Sequence, residues 1–284
     1  MAGTLFVVAT PIGNLDDLSA RAIRVLREVA VIAAEDTRRT GHLLQRFGLT
    51  TRTTSFHEHS EKGKTAGLLA RLQAGENVAL VSDAGTPTVS DPGEHLIRLA
   101  HDAGIRVEPI PGPSAVVAAL SVAGFGAGGF IFLGFPPTKA SDRHTWIERI
   151  HAAASLVPAA IFYEAPHRIA ATLSDLHRSL GDIEVVVARE LTKAHEEILR
   201  TTLAVVHIPE PRGEFTVVLD IGQITADRTL AGPLDPTAVF TEFCDLTEKQ
   251  GLNRRQAIAS LARRYALPSR ELYSLIEKGK SSGV

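Results

Sequence analysis

The stretch that decides the fold is the apolar run Asn77-Val78-Ala79-Leu80-Val81, followed at once by Ser82-Asp83-Ala84-Gly85-Thr86-Pro87 and, further on, by Ser90-Asp91-Pro92-Gly93. A short apolar run that ends in turn-forming residues predicts a buried strand. The loop after it consists of small residues, a glycine and a proline, so its backbone can approach a ligand closely and stay in place. Together they predict a ligand-binding loop at the end of a strand.

Two further loops of the same kind follow predicted strands. Thr10-Pro11-Ile12-Gly13-Asn14-Leu15 follows the first strand, and Pro111-Gly112-Pro113-Ser114-Ala115 follows the strand near residues 106–109. In open α/β sheets, ligands bind outside the carboxyl ends of the strands, so three such loops predict a pocket there. A plain tight turn would explain one of these loops but explains three poorly.

The first 123 residues alternate predicted strands and helices, which is typical of βαβ units and a mostly parallel sheet. The strands are predicted at Leu5–Thr10, Val29–Ala34, Asn77–Val81 and Arg106–Pro109, and the helices near Ser19–Glu28, Lys62–Ala74, Gly93–Ala103 and Ser114–Ala123. This pattern predicts an N-terminal α/β lobe over residues 1–123. The glycines that follow, Gly124, Gly126, Gly128 and Gly129, predict a hinge.

A second α/β lobe is predicted over residues 130–221. Its strands are predicted at Phe130–Phe135, Ala159–Glu164, Glu184–Arg189, Ile198–Thr202 and Phe215–Ile221, and its helices at Arg143–Ala154 and Pro166–Leu180. Because several strands follow one another without a helix between them, we expect a mixed sheet here. Residues 222–236 are rich in Gly, Pro and Thr, which is typical of a linker.

Residues 237–284 are predicted to form a small C-terminal helical extension. Helices at Thr237–Gln250, Arg254–Tyr265 and Ser269–Lys278, with a tight turn at residues 266–268, resemble a helix-turn-helix. Between Lys249 and Lys280 the chain carries eight basic and two acidic residues, a charge of +6, which leaves −8 for the rest of a chain of net charge −2. A basic appendage favours contact with RNA, and a solvated pair of charged helices is the alternative.

Length and composition narrow the class of protein. The 284 residues are 44% hydrophobic and 22% charged, a globular balance that excludes intrinsic disorder and a coiled coil. With a single cysteine, Cys244, and no recognisable signal peptide or membrane-spanning run, we expect a cytoplasmic protein. Glu58 stands where a P-loop needs glycine, and His57 and His59 have no identifiable third ligand, so no metal is expected.

Seven motifs, in chain order, resemble those of the ribosomal RNA small subunit methyltransferase I family, part of the tetrapyrrole methylase superfamily (class III methyltransferases). They are Ala9–Leu15, Ala34–Arg38, Ser55–His59, Val81–Pro87, Pro111–Ala115, Tyr163–Arg168 and Arg189–Lys193. The resemblance covers residues 4–221, and the extension matches more loosely. It implies an α/β fold of two tetrapyrrole methylase-like lobes with the cofactor cleft between them, usually in a homodimer.

The resemblance also implies an activity and a cofactor. The methyl group of S-adenosylmethionine would pass to the ribose 2′-hydroxyl of one cytidine in the decoding region of 16S rRNA, in the small ribosomal subunit. The implied cofactor contacts are Pro11, Ser82, Asp83, Ala84, Gly85, Thr86, Ser114 and Ala115 from the first lobe, and Leu133, Tyr163, Glu164 and Ala165 from the second. For Asp83, a role as a cap or turn residue is the alternative.

A ribose hydroxyl is a poor nucleophile while it is protonated, so a general base would help. The candidate bases are Glu35, Asp36, Glu190, Lys193 and His57, and the sequence leaves the choice open. We expect the segments Glu35-Asp36-Thr37-Arg38 and Arg189–Lys193, the latter including Glu190, to line the side of the cleft that receives the RNA, with Arg38 and Lys193 contacting phosphate. An interlobe salt-bridge network is the alternative. The expected RNA contacts are Arg38, His57, Arg189, Lys193 and, in the extension, Arg254, Arg255, Arg263, Arg264 and Arg270.

Two other functions stay open. A methylase of a small molecule such as a tetrapyrrole would need a roomier apolar acceptor site, and the basic extension favours RNA instead. A noncatalytic RNA-binding protein would have no need of three cofactor loops. Methyl transfer to RNA is therefore the leading hypothesis.

Overall fold

A computed structural model describes residues 1–57, 61–209, 211–224, 235–249, 252–265 and 269–282. By its contacts the chain divides into two compact units, Met1–Thr225 and Ala226–Val284. The first unit contains two sheets, and the second is helical. Most of the predicted linker, residues 225–234, lies outside the described residues.

The first sheet is parallel throughout and has the strand order β3-β2-β4-β1-β5. Its strands are β1 (Thr4–Val8), β2 (Val31–Ala34), β3 (Thr53–Ser55), β4 (Val78–Val81) and β5 (Arg106–Ile110). The helices of this half are α1 (Ala20–Glu28), α2 (Thr37–Arg46), α3 (Glu61–Gln73), α4 (Glu94–Asp102) and α5 (Ala115–Ala123). All four residues of β4 are buried because apolar clusters cover both faces of the sheet.

The second sheet has the order β6-β7-β10-β8-β9 and is mixed, as predicted. Its strands are β6 (Phe130–Phe132), β7 (Ala159–Glu164), β8 (Glu184–Arg189), β9 (Glu197–Thr202) and β10 (Phe215–Asp220), and its helices are α6 (Ala140–Ala153) and α7 (Ile169–Leu180). The pair β6–β7 is parallel and the other pairs are antiparallel. Trp146 of α6 and Leu176 of α7 share one apolar cluster with Phe162 of β7.

The opposite face of the second sheet is covered by α5. Val116 and Ala119 of α5 lie in one buried cluster with Ile161 of β7 and Val218 of β10. The sequence groups this helix with the first lobe, but its packing is with the second sheet. The helix therefore ties the loop after β5 to the strands that follow the glycine cluster.

Two elements, α2 and β3, were not predicted from the sequence. Helix α2 is mostly polar and buries only Thr40 and Leu44, and its start is fixed by Asp36, whose side chain accepts a hydrogen bond from the Arg38 backbone N–H. Strand β3 is three residues long, too short for an alternating pattern. Strand β1 ends at Val8 rather than Thr10, because Thr10 instead forms an isolated bridge with Gly85.

The C-terminal unit packs around its own small core. Its helices are α8 (Pro236–Cys244), α9 (Arg254–Arg264) and α10 (Ser269–Ser282), and its buried residues are Val239, Leu246, Ala257, Leu261, Leu272 and Ile276. The predicted helix Thr237–Gln250 corresponds to α8 together with a π-helical turn, Asp245–Lys249, that directly follows Cys244. Gln250 and the predicted turn at 266–268 lie outside the described residues.

Within the described part of the chain, no helix combines the length and the apolarity that crossing a membrane requires.

Candidate functional site

The loops after β1, β4 and β5 are joined by hydrogen bonds at the carboxyl edge of the first sheet. The backbone N–H of Thr10 donates to the Gly85 carbonyl at 2.8 Å, and the Gly85 N–H donates back to Thr10 at 3.0 Å. The Thr86 hydroxyl donates to the Pro113 carbonyl at 3.2 Å. Gly85 has φ +77°, a left-handed conformation that a glycine adopts without strain. The three loops therefore form one connected wall.

A cavity of about 310 Å³ lies against this wall. From the first half of the unit it is lined by Ile12, Glu35, Arg39, Asp83–Thr86, Val89–Asp91, Ser114 and Ala115, and from the second half by Phe135, Tyr163–Pro166 and Gly213–Thr216. Its volume falls within the range of small-molecule sites. Residues from both sheets thus share one ligand-sized cavity.

Most residues proposed for the cofactor line this cavity, but three lie elsewhere. Pro11 and Ser82 line a neighbouring cavity of about 200 Å³, which shares Arg39 and Asp83 with the first. Leu133 packs on the core of the second sheet, and its carbonyl accepts a long bond from the Trp146 indole N–H at 3.5 Å.

Glu164 lines the cavity, but its carboxylate oxygens form hydrogen bonds and an ion pair with residues near it in the chain and in α7. One oxygen accepts from the Ala165 N–H at 2.8 Å and faces Arg168 at 3.2 Å. The other accepts from the Thr172 hydroxyl at 2.5 Å. With a side-chain exposure of 0%, this carboxylate fixes the turn between β7 and α7.

A second network joins the loop after β2 to the loop after β4. The Glu35 carboxylate accepts from the Asp83 N–H at 3.2 Å, and Asp83 accepts from the Asp36 N–H at 2.9 Å. Arg39 lies 3.5 Å from the other Asp83 oxygen. Sequence reasoning missed Arg39, although its position in the first turn of α2 brings it to this loop.

Asp36 and Arg38 form a pair of their own at the start of α2. Arg38 donates to Asp36 at 2.9 Å from its side chain and at 2.8 Å from its backbone. These bonds lower the pKa of Asp36 to about 2 and raise the pKa of Arg38. The Arg38 side chain is 87% exposed, so its guanidinium group remains accessible to solvent although it pairs with Asp36.

A cluster of three charged residues, Glu190, Lys193 and Glu214, lies where β8 ends and β10 begins. The Lys193 ammonium donates to Glu190 at 2.7 Å and to Glu214 at 2.9 Å, and Glu214 lines the cavity. Burial lowers the pKa of Lys193, but the hydrogen bonds to the two carboxylates outweigh it and the pKa is raised. A raised pKa favours the protonated form of Lys193 and argues against Lys193 as the general base. Glu190, held at φ +51°, has a lowered pKa because Lys193 donates to it.

The other predicted RNA-contacting residues are spread over the chain. Arg189 donates to Glu197 at 3.0 Å, and His57 is half-buried. In the C-terminal unit, Arg254 pairs with Glu277 at 2.7 Å. Arg255 and Arg270 are exposed there, whereas the side chains of Arg263 and Arg264 lie outside the described part.

Asp91 is a cavity residue to which the sequence assigned no role. Burial raises the pKa of its carboxyl to about 6, the nearby charges of Glu35 and Asp83 add to this shift, and a hydrogen bond with Ser82 opposes it. Across the cavity, burial together with Asp91 raises the pKa of Tyr163 to about 12. In the sequence, Asp91 lies in the continuation of the predicted loop after β4, within a second Ser-Asp pair, Ser90-Asp91, and no individual role was predicted for it.

No cluster of three or more His, Cys, Asp or Glu side chains suited to a metal ion occurs among the residues that the structure describes. His57 is described, whereas Glu58 and His59 of the same motif lie outside that part.

Comparison with known proteins now identifies the family. The model of the tetrapyrrole (corrin/porphyrin) methylases matches residues 4–206. The ribosomal RNA small subunit methyltransferase I of Synechocystis is 46% identical over 96% of this chain and 97% of that protein, and the Pseudomonas aeruginosa protein of the same name is 53% identical over 77% and 79%. A crystal structure of diphthine synthase superposes with a TM-score of 0.60 at 17% identity, over 76% of this chain and 89% of that one, which supports the fold. The chain therefore belongs to the tetrapyrrole methylase family and, within it, to the ribosomal RNA small subunit methyltransferases I.

Proposed function

We propose that this protein transfers the methyl group of S-adenosylmethionine to the ribose 2′-hydroxyl of one cytidine in the decoding region of 16S rRNA. The observation that carries the proposal is the 46% identity, over nearly the whole chain, to a small-subunit rRNA methyltransferase I. The cavity bounded by the three loops supports it, since such a reaction needs a site for a small cofactor at the edge of the sheet.

The cavity fits S-adenosylmethionine in charge and shape. Glu35, Asp83 and Glu214 face it beside a single described arginine, Arg39, and these carboxylates suit a ligand that carries a sulfonium and an ammonium group. The lining residues Ala84, Gly85 and Ala115 have small side chains or none, which leaves room for the flat adenine ring of the cofactor. When bound, the cofactor supplies the electrophilic methyl group.

The residues of this chain would act chiefly by positioning. Holding two reactants in line can lower a barrier by about 7–11 kcal/mol. The bridge between Thr10 and Gly85 and the bond from Thr86 to Pro113 fix the loops that would hold the cofactor. A hydrogen-bonded wall with carboxylates from both halves of the unit around the cavity is suited to such alignment.

For the RNA, the proposal assigns phosphate contacts to exposed cations. Arg38 offers an open guanidinium face, and Arg255 and Arg270 are exposed in the C-terminal unit. Lys193 keeps its charge because its pKa is raised. Binding carried by such contacts weakens as salt concentration rises.

We further propose that the substrate is the assembled small ribosomal subunit in the cytoplasm and that the enzyme is a homodimer. The single cysteine fits a reducing compartment. On α5, Val117 is 55% exposed and Val122 is 48% exposed, which offers an apolar surface to a second copy. Light scattering at micromolar concentration is expected to give twice the chain mass.

The test of the activity is methyl transfer from radiolabelled cofactor to isolated 30S subunits and to naked 16S rRNA. Reverse transcription under conditions sensitive to 2′-O-methylation maps the product. We expect one modified ribose in the decoding region, with 30S subunits as the better substrate. Label on a base, or on neither RNA, contradicts the proposal.

A further inference from the structure

We propose that Asp91 is the general base that takes the proton from the acceptor hydroxyl. This inference rests on the proposed methyl transfer and names the group that activates its nucleophile. Asp91 lines the cavity and lies on the segment that connects β4 to the start of α4.

The turn that carries Asp91 is built under strain. Thr88 has φ +73° and Ser90 has φ +68°, conformations that cost residues other than glycine about 1–3 kcal/mol each. Gly93, with φ +131°, lies so close to β4 that a Cβ atom there would stand 2.5 Å from Cδ2 of Leu80. The turn therefore packs closely against the buried strand β4, and Asp91 lies between the strained residue Ser90 and the close contact at Gly93. Strain of this kind concentrates at functional sites.

The other carboxylates near the cavity are committed to partners. Those partners are Arg38 for Asp36, Lys193 for Glu190 and Glu214, Arg168 and Thr172 for Glu164, the Asp36 N–H and Arg39 for Asp83, and the Asp83 N–H for Glu35. Among the described residues, no lysine or arginine forms an ion pair with Asp91. Asp91 and Glu35 are therefore the lining carboxylates that no described cation pairs with, and Glu35 differs from Asp91 in accepting a backbone N–H bond, while Asp91 has a hydrogen bond with the Ser82 hydroxyl.

The surroundings of Asp91 also suit proton transfer near neutral pH. The titratable groups that line the same cavity are Glu35 and Arg39 from the β2–α2 segment, Asp83 from the loop after β4, Tyr163 and Glu164 from β7, and Glu214 next to β10. Burial and the charges of Glu35 and Asp83 raise the pKa of Asp91 to about 6. A base whose pKa lies close to the working pH combines the ionised form with useful proton affinity. Asp36, with a pKa of about 2, is a far weaker base.

The proposed step moves a methyl group to the ribose oxygen and a proton to Asp91. The 2′-oxygen forms a bond to the methyl carbon while the sulfur–methyl bond breaks, and that bond's electron pair stays on sulfur, which becomes a neutral thioether. The proton of the hydroxyl moves to the Asp91 carboxylate. Above pH 6 the carboxyl then releases this proton to solvent, which restores the base.

The test compares the wild-type enzyme with Asp91→Asn, Asp91→Glu and, as a matched control, Asp102→Asn, which removes a carboxylate from the exposed end of α4. The measurements are kcat on 30S subunits, the pH dependence of kcat/KM for the cofactor, and the Kd for the cofactor by calorimetry. The last shows whether each variant is folded. Asparagine keeps the shape of the side chain and removes only the base.

We expect the wild-type kcat/KM to rise with pH through about 6. Asp91→Asn lowers kcat by about 10²- to 10⁴-fold and loses this rise, while its Kd for the cofactor stays within threefold. Asp91→Glu regains part of the activity and of the pH dependence, and Asp102→Asn behaves as wild type. An Asp91→Asn enzyme that keeps its kcat within threefold, or keeps the rise near pH 6, overturns the inference. So does a tenfold weaker Kd with an unchanged kcat, because Asp91 would then bind the cofactor. Failure of the wild-type enzyme to methylate any ribose instead refutes the proposed function.

Discussion

Replacement of Glu164 by alanine tests whether this residue supports the fold or binds the cofactor. The substitution leaves Arg168, whose side chain is only 20% exposed, without its buried carboxylate, and it deprives the Thr172 hydroxyl and the Ala165 N–H of their acceptor. Breaking a buried ion pair by removing one partner costs about 3–5 kcal/mol. For a unit of this size, 1 kcal/mol shifts Tm by about 2–4 °C, so the expected fall is roughly 6–20 °C.

The assay is thermal unfolding followed by circular dichroism, together with calorimetric titration of the cofactor below Tm. Glu184→Ala is the matched control, since it breaks the exposed pair with Arg200 in the same sheet and is expected to cost less than about 1 kcal/mol. Glu164→Ala is expected to bind cofactor with nearly the wild-type Kd while it remains folded. An unchanged Tm with a Kd weakened more than tenfold would refute this reasoning and return Glu164 to the cofactor site.

Three further predictions concern charge, close approach and salt. Asp91→Asn is expected to stabilise the ligand-free protein at pH 7.5 by about 1 kcal/mol. A shift of the Asp91 pKa from 3.8 to about 6 on folding corresponds to about 3 kcal/mol of lost stability when the carboxyl is ionised, and we reduce this free energy because the side chain is partly exposed to solvent. The gain appears as pH rises from 4 to 6 and is absent below pH 4 in thermal unfolding, and a gain that persists there contradicts it. Gly85→Ala is expected to weaken cofactor binding more than Gly48→Ala, because both glycines have positive φ and only Gly85 lines the cavity; equal Kd values would place the cofactor elsewhere. Arg255→Ala is expected to weaken RNA binding and to reduce the slope of log K against log salt by about 0.7–0.9, and an unchanged slope would remove it from the RNA surface.

The parallel half of the fold was predictable because its strands are continuous apolar runs. Val78–Val81 is buried on both faces, and this leaves a clear mark in the sequence. Helix α2 leaves almost none, since its stability comes from the Asp36 cap and two buried residues. The packing of α5 on the second sheet could not be predicted either, because a helix that is apolar all round carries no sign of which neighbour it covers.

At the site, the sequence located the loops better than it assigned their side chains. Strand ends followed by Gly and Pro point to a pocket on general grounds, and the structure brings those loops together. The role of each carboxylate depends on partners distant in the chain, such as Glu214 for Lys193 and Thr172 for Glu164. Asp91 differs from Asp83 only in burial and neighbours, which the sequence does not display.

The most direct test of the central claim is nucleoside mass spectrometry of 16S rRNA after incubation of 30S subunits with the enzyme and deuterated-methyl S-adenosylmethionine. The account predicts that the label appears as 2′-O-methylcytidine, with its mass on the ribose fragment and about one label per subunit. Label in a base-methylated nucleoside, or no labelled nucleoside at all, would contradict it.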